Sequence, residues 1–295
     1  MIISASRRTD IPAFYAEWLM NHIRAGFCQT ANPFNPAQVA RISLLPQDVE
    51  AIVFWTRYPR PLLPYLAELD ERGYRYYFQF TLTGYPRELE PRLPERSILI
   101  QSFRDLASHV GAQRVIWRYD PIVLSSITDI PFHERNFAEL AEALSGLTRR
   151  VVVSLLDPYT KNRRRLRKLA ESGVVVQDIQ EIDDRLGGLL CSLAGLARTH
   201  GLEITSCAEP WDLRPYGIAP GKCVDDEYIA RVLGVVVTHA KDRAQRPACG
   251  CVQSKDIGAY DSCRYGCVYC YATSDRVDPD AVRARYDPDA LFLTG

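Results

Sequence analysis

Apolar runs without a period of two recur along the chain, and helical patterns separate them. Examples are Ile2–Ser6, Ala51–Thr56 and Val151–Leu155. A strand that is apolar on both sides is covered on both faces, which is typical of parallel sheets. Strands that alternate with helices at this spacing indicate βαβ units. The sequence therefore predicts an α/β fold, built as a partial or full (β/α) TIM-type barrel.

The predicted units follow one another without a low-complexity linker, so residues 1–295 are interpreted as one domain. Residues 1–208 supply the βα units, and residues 209–295 form a Cys-rich segment that completes the barrel. The predicted strands are Ile2–Ser6, Ala51–Thr56, Tyr74–Thr83, Arg114–Trp117, Val151–Leu155, Glu203–Cys207, Asp256–Tyr260 and Ala290–Thr294. The predicted helices are Ala13–Ala25, Pro61–Glu71, Ser97–Val110, Glu134–Leu147, Lys161–Glu171, Asp183–His200, Asp225–His239 and Pro279–Arg285. Cys28–Pro46 is predicted to be irregular, because its Asn-Pro pairs are typical of turns.

Composition narrows the range of partners. The 36 basic and 36 acidic residues cancel, whereas a general nucleic-acid binder needs net or clustered positive charge. The sequence contains no apolar run near the roughly 20 residues of a membrane span. The first residues also lack the pattern of a signal peptide. We therefore expect a cytoplasmic protein with no membrane contact and no nucleic-acid partner.

Three cysteines, Cys263, Cys267 and Cys270, lie in one short aromatic-rich stretch with the spacing C-x3-C-x2-C. Three thiolates can bind three irons of a [4Fe–4S] cluster and leave the fourth iron without a protein ligand. That iron could hold a small molecule. The same spacing also suits a zinc knot or a purely structural cluster, so the residues alone leave both readings open.

The whole stretch Cys263–Ala272, with Tyr269 before the last cysteine and Tyr271-Ala272 after it, resembles the signature of radical S-adenosylmethionine (SAM) enzymes. The resemblance implies that the open iron binds SAM and that one electron splits SAM to a 5′-deoxyadenosyl radical. In that superfamily the motif usually lies near the N-terminus. A circular permutation would account for its place here, with Asp256–Tyr260 beside Ile2–Ser6, since chain termini are often close in space.

Further segments carry a more specific resemblance that extends over nearly the whole chain. The segments are Ser6–Tyr15, Phe54–Thr56, Phe80–Thr83, Trp117–Pro121 and Cys263–Ala272. They resemble a bacterial family described as domain of unknown function 1848, which is similar in turn to the spore photoproduct lyase-like branch of radical SAM enzymes. The resemblance implies an electron donor such as flavodoxin or ferredoxin and a small-molecule substrate, which it does not identify.

Polar residues at the ends of the predicted strands are the candidates for ligand contacts, because (β/α) barrels bind ligands there. Arg118 and Asp120 directly follow an apolar strand, where an unused charged pair is costly to bury, and are predicted to be catalytic. An arginine can bind a carboxylate with two parallel donors, and an aspartate suits an ammonium group or a ribose hydroxyl. The residues predicted to bind the cofactor are Arg7, Arg8, Asp10, Thr81, Thr83, Ser154 and Tyr269.

Four more cysteines, Cys207, Cys223, Cys249 and Cys251, precede the main motif. Four thiolates could hold a second [4Fe–4S] cluster or a zinc ion. Ordinary buried thiols are the alternative, because only Cys249 and Cys251 are close in sequence. The dense basic stretch Lys161–Lys168 is predicted to be a solvated helix face.

Three functions are compatible with these residues. The first is a radical SAM enzyme acting on an unknown substrate. The second is a zinc- or cluster-stabilised barrel that binds a small anionic ligand without radical chemistry. The third, a DNA-lesion repair lyase, rests on analogy of fold alone, and such analogy is weak evidence for function.

Overall fold

The computed structural model describes residues 1–33, 35–157 and 160–294. Its strands are β1 (Ile2–Ala5), β2 (Phe27–Asn32), β3 (Asn35–Ser43), β4 (Ala51–Thr56), β5 (Tyr76–Thr81), β6 (Val115–Ile122), β7 (Arg150–Leu155), β8 (Glu203–Cys207), β9 (Ala219–Gly221) and β10 (Lys255–Asp256). Its helices are α1 (Ile11–Phe14), α2 (Ala16–Ala25), α3 (Leu66–Glu71), α4 (Arg96–Val110), α5 (Ile130–Ala143), α6 (Thr160–Glu171), α7 (Asp184–Thr199), α8 (Asp226–Leu233) and α9 (Pro279–Ala284). None of the described helices has the length and apolar character that crossing a membrane requires.

The main sheet has eight strands in the order β10-β1-β4-β5-β6-β7-β8-β9. Every neighbouring pair in it is parallel. The predicted α/β class with a parallel sheet is therefore confirmed. Within the described residues β10 and β9 stand at opposite ends of this order, so the strands form an open series and not the closed ring of a full barrel.

The strand predicted over Asp256–Tyr260 before the cysteine stretch overlaps the observed β10 only at Asp256, because β10 begins one residue earlier and has two residues. Strand β10 pairs with β1 in the register Ile3↔Lys255 and Ser4↔Asp256. The predicted helix over Asp225–His239 ends earlier, at Leu233, because Gly234 adopts a left-handed conformation with φ 67°. Such a residue closes a helix, and glycine adopts it without steric cost.

Two predictions of secondary structure are wrong. Cys28–Pro46 is not irregular, since β2 and β3 pair there as an antiparallel hairpin. The ribbon is mostly exposed and buries little besides Cys28 and Ile42, so it lacks the apolar alternation that marks a half-buried strand. Ala290–Thr294 is not a strand; its Ala290 carbonyl instead accepts a hydrogen bond from Trp18 Nε1 at 2.8 Å.

The two faces of the sheet differ in what covers them. One face carries large side chains such as Phe54, Phe78 and Trp117, which pack in the main core with α1, α2, α4, α5 and α7. Toward the amino ends of the strands, the other face carries apolar residues such as Val53 and Tyr77. These pack against α8 and the segment that contains Cys249 and Cys251. Because side chains alternate along a strand, this second face then presents polar residues toward the carboxyl ends of the strands: Ser4, Gln79, Arg118 and Ser154.

A buried polar network joins β6 to α5 within the main core. Asn136 Nδ2 donates to Tyr119 Oη at 2.9 Å, and Tyr119 Oη lies 2.8 Å from His133 Nδ1. His133 Nε2 lies 3.1 Å from the Val123 carbonyl. Since a carbonyl can only accept, Nε2 carries the proton and Nδ1 accepts from the tyrosine. Burial of this neutral imidazole lowers the pKa of His133 to about 4.

We expect this histidine to destabilise the fold in acid. Because its pKa is depressed from about 6.5 to about 4, its contribution is present above about pH 6.5 and is lost as pH falls toward and through about 4. The free energy of unfolding should drop by roughly 2 kcal/mol from this group between about pH 7 and about pH 4.5. Urea unfolding of His133→Gln should show a drop smaller by that amount, while exposed His109→Gln should match the wild type.

Candidate functional site

Asp256 in β10 ties the two ends of the chain together. Its carboxylate accepts hydrogen bonds from Ser4 Oγ at 2.6 Å, Ser6 Oγ at 2.6 Å and the Arg7 backbone N–H at 2.9 Å. Two residues later, a Cβ at Gly258 would lie 2.1 Å from Ser6 Oγ, so the backbone approaches β1 more closely than any side chain allows. The chain then turns into the cysteine stretch, which therefore emerges at the carboxyl end of β1.

The three cysteines of the main motif lie in one compact loop, residues 261–274, here called the triad loop. Asp261 N–H donates to the Ala272 carbonyl at 3.0 Å and closes it. Cys267 is buried, and Cys263 and Cys270 are half-buried. Burial raises the pKa of Cys263 well above its ordinary value, and the charges of Cys270 and Cys267 add to the effect. Burial likewise raises the pKa of Cys267 to about 12. In this loop the charge of one thiol thus affects the pKa of another.

Helix α6 clamps the triad loop from outside. Arg165 Nε donates to the Val268 carbonyl at 3.0 Å, and its other two nitrogens donate to the carbonyls of Thr273 and Cys270. Asn162 Nδ2 donates to the Tyr269 carbonyl at 3.0 Å. The prediction of a solvated face over Lys161–Lys168 is therefore wrong for Arg165. The spacing of Asn162, Arg165 and Leu169, three and four residues apart, was the available signal that this helix has an inward face.

A buried network fixes the triad loop to the ends of β4 and β5. Arg57 Nη1 donates to Glu90 Oε1 at 2.7 Å, and Arg57 Nη2 donates to Tyr269 Oη at 2.6 Å. Thr83 Oγ1 donates to the same Glu90 oxygen at 2.6 Å. Two predicted cofactor-binding residues, Thr83 and Tyr269, thus meet here with their hydroxyls engaged by Glu90. Glu90 lies in no strand or helix, and no sequence pattern pointed to it.

Asp10, another predicted cofactor-binding residue, lies in the same region and is buried. Its Oδ1 accepts the Ala13 N–H at 3.0 Å and caps α1, and its Oδ2 accepts the Arg57 N–H at 2.6 Å. Burial raises the pKa of Asp10 to about 7. Both carboxylate oxygens are therefore committed to the backbone, and Asp10 holds α1 against the end of β4.

The surroundings of the triad fit a thiolate-bound cluster. The Ala272 backbone N–H donates to Cys270 Sγ at 3.3 Å, and such hydrogen bonds to sulfur tune iron–sulfur centres. The Tyr265 hydroxyl is buried without a hydrogen-bond partner among the described residues. Tyr265 lies in the triad loop between Cys263 and Cys267, and burial, followed by the charges of Asp10 and Cys263, raises its pKa well above the ordinary value. A buried orphan donor next to three soft ligands fits a group that brings acceptors of its own.

The predicted catalytic pair belongs to a second group of side chains, on the second face of the sheet. Buried Arg118 donates through Nη1 to Cys223 Sγ at 2.9 Å and to Gln79 Oε1 at 3.3 Å. Its Nη2 pairs with Asp120 Oδ2, and Ser154 Oγ donates to the other oxygen of Asp120. Thr81 lies beside Arg118 in the strand register. Arg118 therefore links the charged strand end to a thiol.

The other four cysteines come together at this second group and are here called the tetrad: Cys207, Cys223, Cys249 and Cys251. Cys207 Sγ lies 3.1 Å from Cys223 Sγ, and the Cys223 backbone N–H donates to Cys251 Sγ at 3.3 Å. The hydrogen bond with Cys223 lowers the pKa of Cys207 to about 7. These contacts bring Cys207, Cys223 and Cys251 together, and Cys249 lies two residues before Cys251. Over residues 1–33, 35–157 and 160–294, no three His, Cys, Asp or Glu side chains are already grouped to hold a metal ion.

Arg7 lies between the triad loop and the tetrad. Its carbonyl accepts a hydrogen bond from Tyr271 Oη at 2.7 Å, and its guanidinium lies over Trp55. Although burial opposes it, the charges of Cys251, Asp256 and Cys223 raise the pKa of Arg7. Arg8 instead donates to the Gly258 carbonyl at 3.3 Å. The predicted residues thus divide between two neighbouring groups that Arg7 joins.

Comparison with models of protein families gives a match over most of the chain. Residues 2–272 match the model of a family described as a domain of unknown function (DUF1848). The chain belongs to this family. The match includes the triad, the tetrad and every other predicted site residue, whereas the family's description names no activity, ligand or substrate. No curated protein matches the chain.

We expect Arg165 to be required for order in the triad loop. Arg165→Ala removes three hydrogen bonds from a charged donor, whereas exposed Arg167 in the same helix has no such contacts to the loop. Amide hydrogen exchange over residues 263–273 should accelerate roughly tenfold or more in Arg165→Ala. Equal protection in Arg165→Ala and Arg167→Ala would show that the loop holds its shape without this clamp.

Proposed function

We propose that this protein is a radical SAM enzyme with a circularly permuted fold. One observation carries the proposal: the C-x3-C-x2-C loop follows a strand that pairs in parallel with β1 at the edge of the sheet. The loop therefore opens at the carboxyl ends of parallel strands. In α/β folds this is the end of the sheet where ligands bind.

The strand order supports the permutation. If β10 is counted as the first strand, the series β10-β1-β4-β5-β6-β7-β8 runs across the sheet in chain order. A first unit, strand plus cysteine loop, would then have moved to the end of the chain, with the later units ahead of it. Because β10 and β1 are adjacent, a circular permutation would leave the three-dimensional arrangement of the strands unchanged. The unusual position of the cysteine motif in the sequence is therefore compatible with a radical SAM fold.

The triad would bind the cluster. Cys263, Cys267 and Cys270 would each hold one iron of a [4Fe–4S] cluster, and the bound cluster would supply a coordination position for SAM and the electron for its reductive cleavage. The protein contributes the surroundings. Ala272 N–H donates to Cys270 Sγ, and the buried Arg57 guanidinium places a positive charge near Cys267. The Arg57–Glu90–Tyr269 network and the Arg165 clamp keep the loop in one conformation.

The polar second face would contact the cofactor or the substrate. Asp120 is held by both Arg118 and Ser154, and its side chain is 17% exposed, so it can accept from an ammonium group or a hydroxyl. Arg118 is only 6% exposed and donates to three partners, which suits it to orient Asp120. A carboxylate ligand would then meet Arg8, which is 23% exposed. The substrate would be a small molecule, and a flavodoxin or ferredoxin would supply electrons.

Formation of 5′-deoxyadenosine tests the proposal. Wild-type protein, purified and reconstituted without oxygen, should produce it from SAM and dithionite. Cys267→Ala should fall to background because the cluster loses a ligand, and Cys28→Ala, which changes a buried thiol outside both groups, should retain the activity. Iron and sulfide bound at full occupancy in the wild type without any 5′-deoxyadenosine would contradict radical SAM chemistry. Zinc in the triad would favour a metal-stabilised binding protein instead.

A further inference from the structure

We infer that the tetrad, Cys207, Cys223, Cys249 and Cys251, binds a second metal centre that is closed by four thiolates. Two centres take a full set of four cysteines, the [4Fe–4S] cluster and tetrahedral Zn²⁺. The inference concerns metal binding alone and does not depend on SAM chemistry at the triad. It rests on how three separate segments bring four sulfurs together and on the donors that surround them.

Close backbone packing brings the segments together. Cys207 is the last residue of β8, and Cys223 follows β9 by two residues. A Cβ at Gly221 in β9 would lie 2.7 Å from Thr205 Oγ1 and 2.9 Å from the Ser206 carbonyl, so glycine alone allows β9 to lie so close to β8. This approach brings Cys223 to Cys207, with 3.1 Å between the sulfurs.

The Cys249-Gly250-Cys251 segment follows α8 in the chain and returns to the neighbourhood of Cys223. Val252 N–H donates to the Val224 carbonyl at 3.1 Å and aligns the two stretches. A Cβ at Gly250 would lie 3.2 Å from Lys222 Cγ and 3.5 Å from the Gly221 carbonyl, so this turn packs tightly on the residues before Cys223. The C-x-C pair is thereby presented to the other two thiols.

Hydrogen-bond donors aim at the sulfurs. The backbone N–H groups of Cys223 and Val224 each lie 3.3 Å from Cys251 Sγ, and Arg118 Nη1 lies 2.9 Å from Cys223 Sγ. A neutral thiol is a weak acceptor and needs no such partners. Metal-bound thiolates are charged, and N–H donors and cations compensate that charge when it is buried. The surroundings of the tetrad are therefore those of thiolates.

The centre would also stabilise a segment that has little regular structure. Between β8 and β10 the described chain has only α8, a short 3₁₀ turn and the three-residue β9, yet it covers the second face of the sheet. Cys223, Cys249 and Cys251 are buried, while Cys207 is half-buried and marks the side from which a metal can enter. Binding requires the thiols to turn from their present pairwise contacts toward a shared centre.

Metal analysis of a protein without the triad tests the inference. The variant Cys263→Ala, Cys267→Ala, Cys270→Ala is expressed and purified without oxygen, and its iron, zinc and acid-labile sulfide are measured. We expect about four iron and four sulfide, or about one zinc, per chain. Adding Cys223→Ser and Cys251→Ser should remove this metal. Adding Cys28→Ser and Cys191→Ser, which lie outside both groups, should retain it.

Two results would overturn the inference: a folded triad-free variant without stoichiometric metal, or metal that persists after Cys223 and Cys251 are replaced. A Cys207–Cys223 disulfide in metal-free protein purified without oxygen, found by non-reducing peptide mapping, would also overturn it. If the triad-free variant does not fold, Cys223→Ser, Cys251→Ser in the otherwise wild-type chain decides, since it must lose one centre's metal relative to the wild type. Failure of radical chemistry at the triad would leave each of these outcomes unchanged.

Discussion

The arrangement of the whole site depends on one carboxylate, that of Asp256. It accepts hydrogen bonds from Ser4, Ser6 and Arg7, residues about 250 positions away, and so holds a two-residue strand at the edge of the sheet. A strand this short has too few ladder hydrogen bonds to hold its place unaided. The side-chain bonds compensate for that, and they determine that the triad loop leaves the sheet beside Arg7. Without this contact the triad loop would lose its attachment to the end of β1, while the Arg57–Glu90–Tyr269 network would still tie it to the ends of β4 and β5.

The two cysteine groups differ in the number of thiols and in the groups that surround the sulfurs. The triad has three thiols in one loop, a half-buried rim and a buried Tyr265 hydroxyl that has no hydrogen-bond partner in the part of the chain that the structure describes. The tetrad has four thiols from three segments, with arginine and backbone donors aimed at sulfur. An incomplete ligand set suits chemistry, and a complete set suits structure or electron transfer. The Arg7 carbonyl accepts a hydrogen bond from Tyr271 of the triad loop, and although burial opposes it, the charges of Cys251 and Cys223 in the tetrad raise the pKa of Arg7. The Arg118–Asp120–Ser154 series extends from the tetrad along the second face of the sheet.

The parallel sheet could be predicted from the sequence because strands that are buried on both faces appear as continuous apolar runs. The sequence also placed a strand before the triad loop and beside β1, although only Lys255–Asp256 pairs there. The hairpin β2–β3 escaped prediction because an exposed ribbon has no apolar alternation. Arg165 escaped because its side chain is one of several in a basic run, and its helical spacing from Asn162 and Leu169 was the one sequence signal of an inward position. The division of the predicted site between two groups likewise depends on which side chains meet across strands, as Arg118 and Cys223 do.

The central claim is that the triad, and not the tetrad, offers an open coordination position. Electron paramagnetic resonance of the reduced protein with and without SAM tests it most directly. The wild-type cluster signal should change when SAM is added, because a ligand enters at one iron. The variant in which Cys263, Cys267 and Cys270 are replaced by alanine should show no SAM-dependent change. A reduced wild-type cluster that does not respond to SAM, or a triad-free variant that does, would contradict the claim.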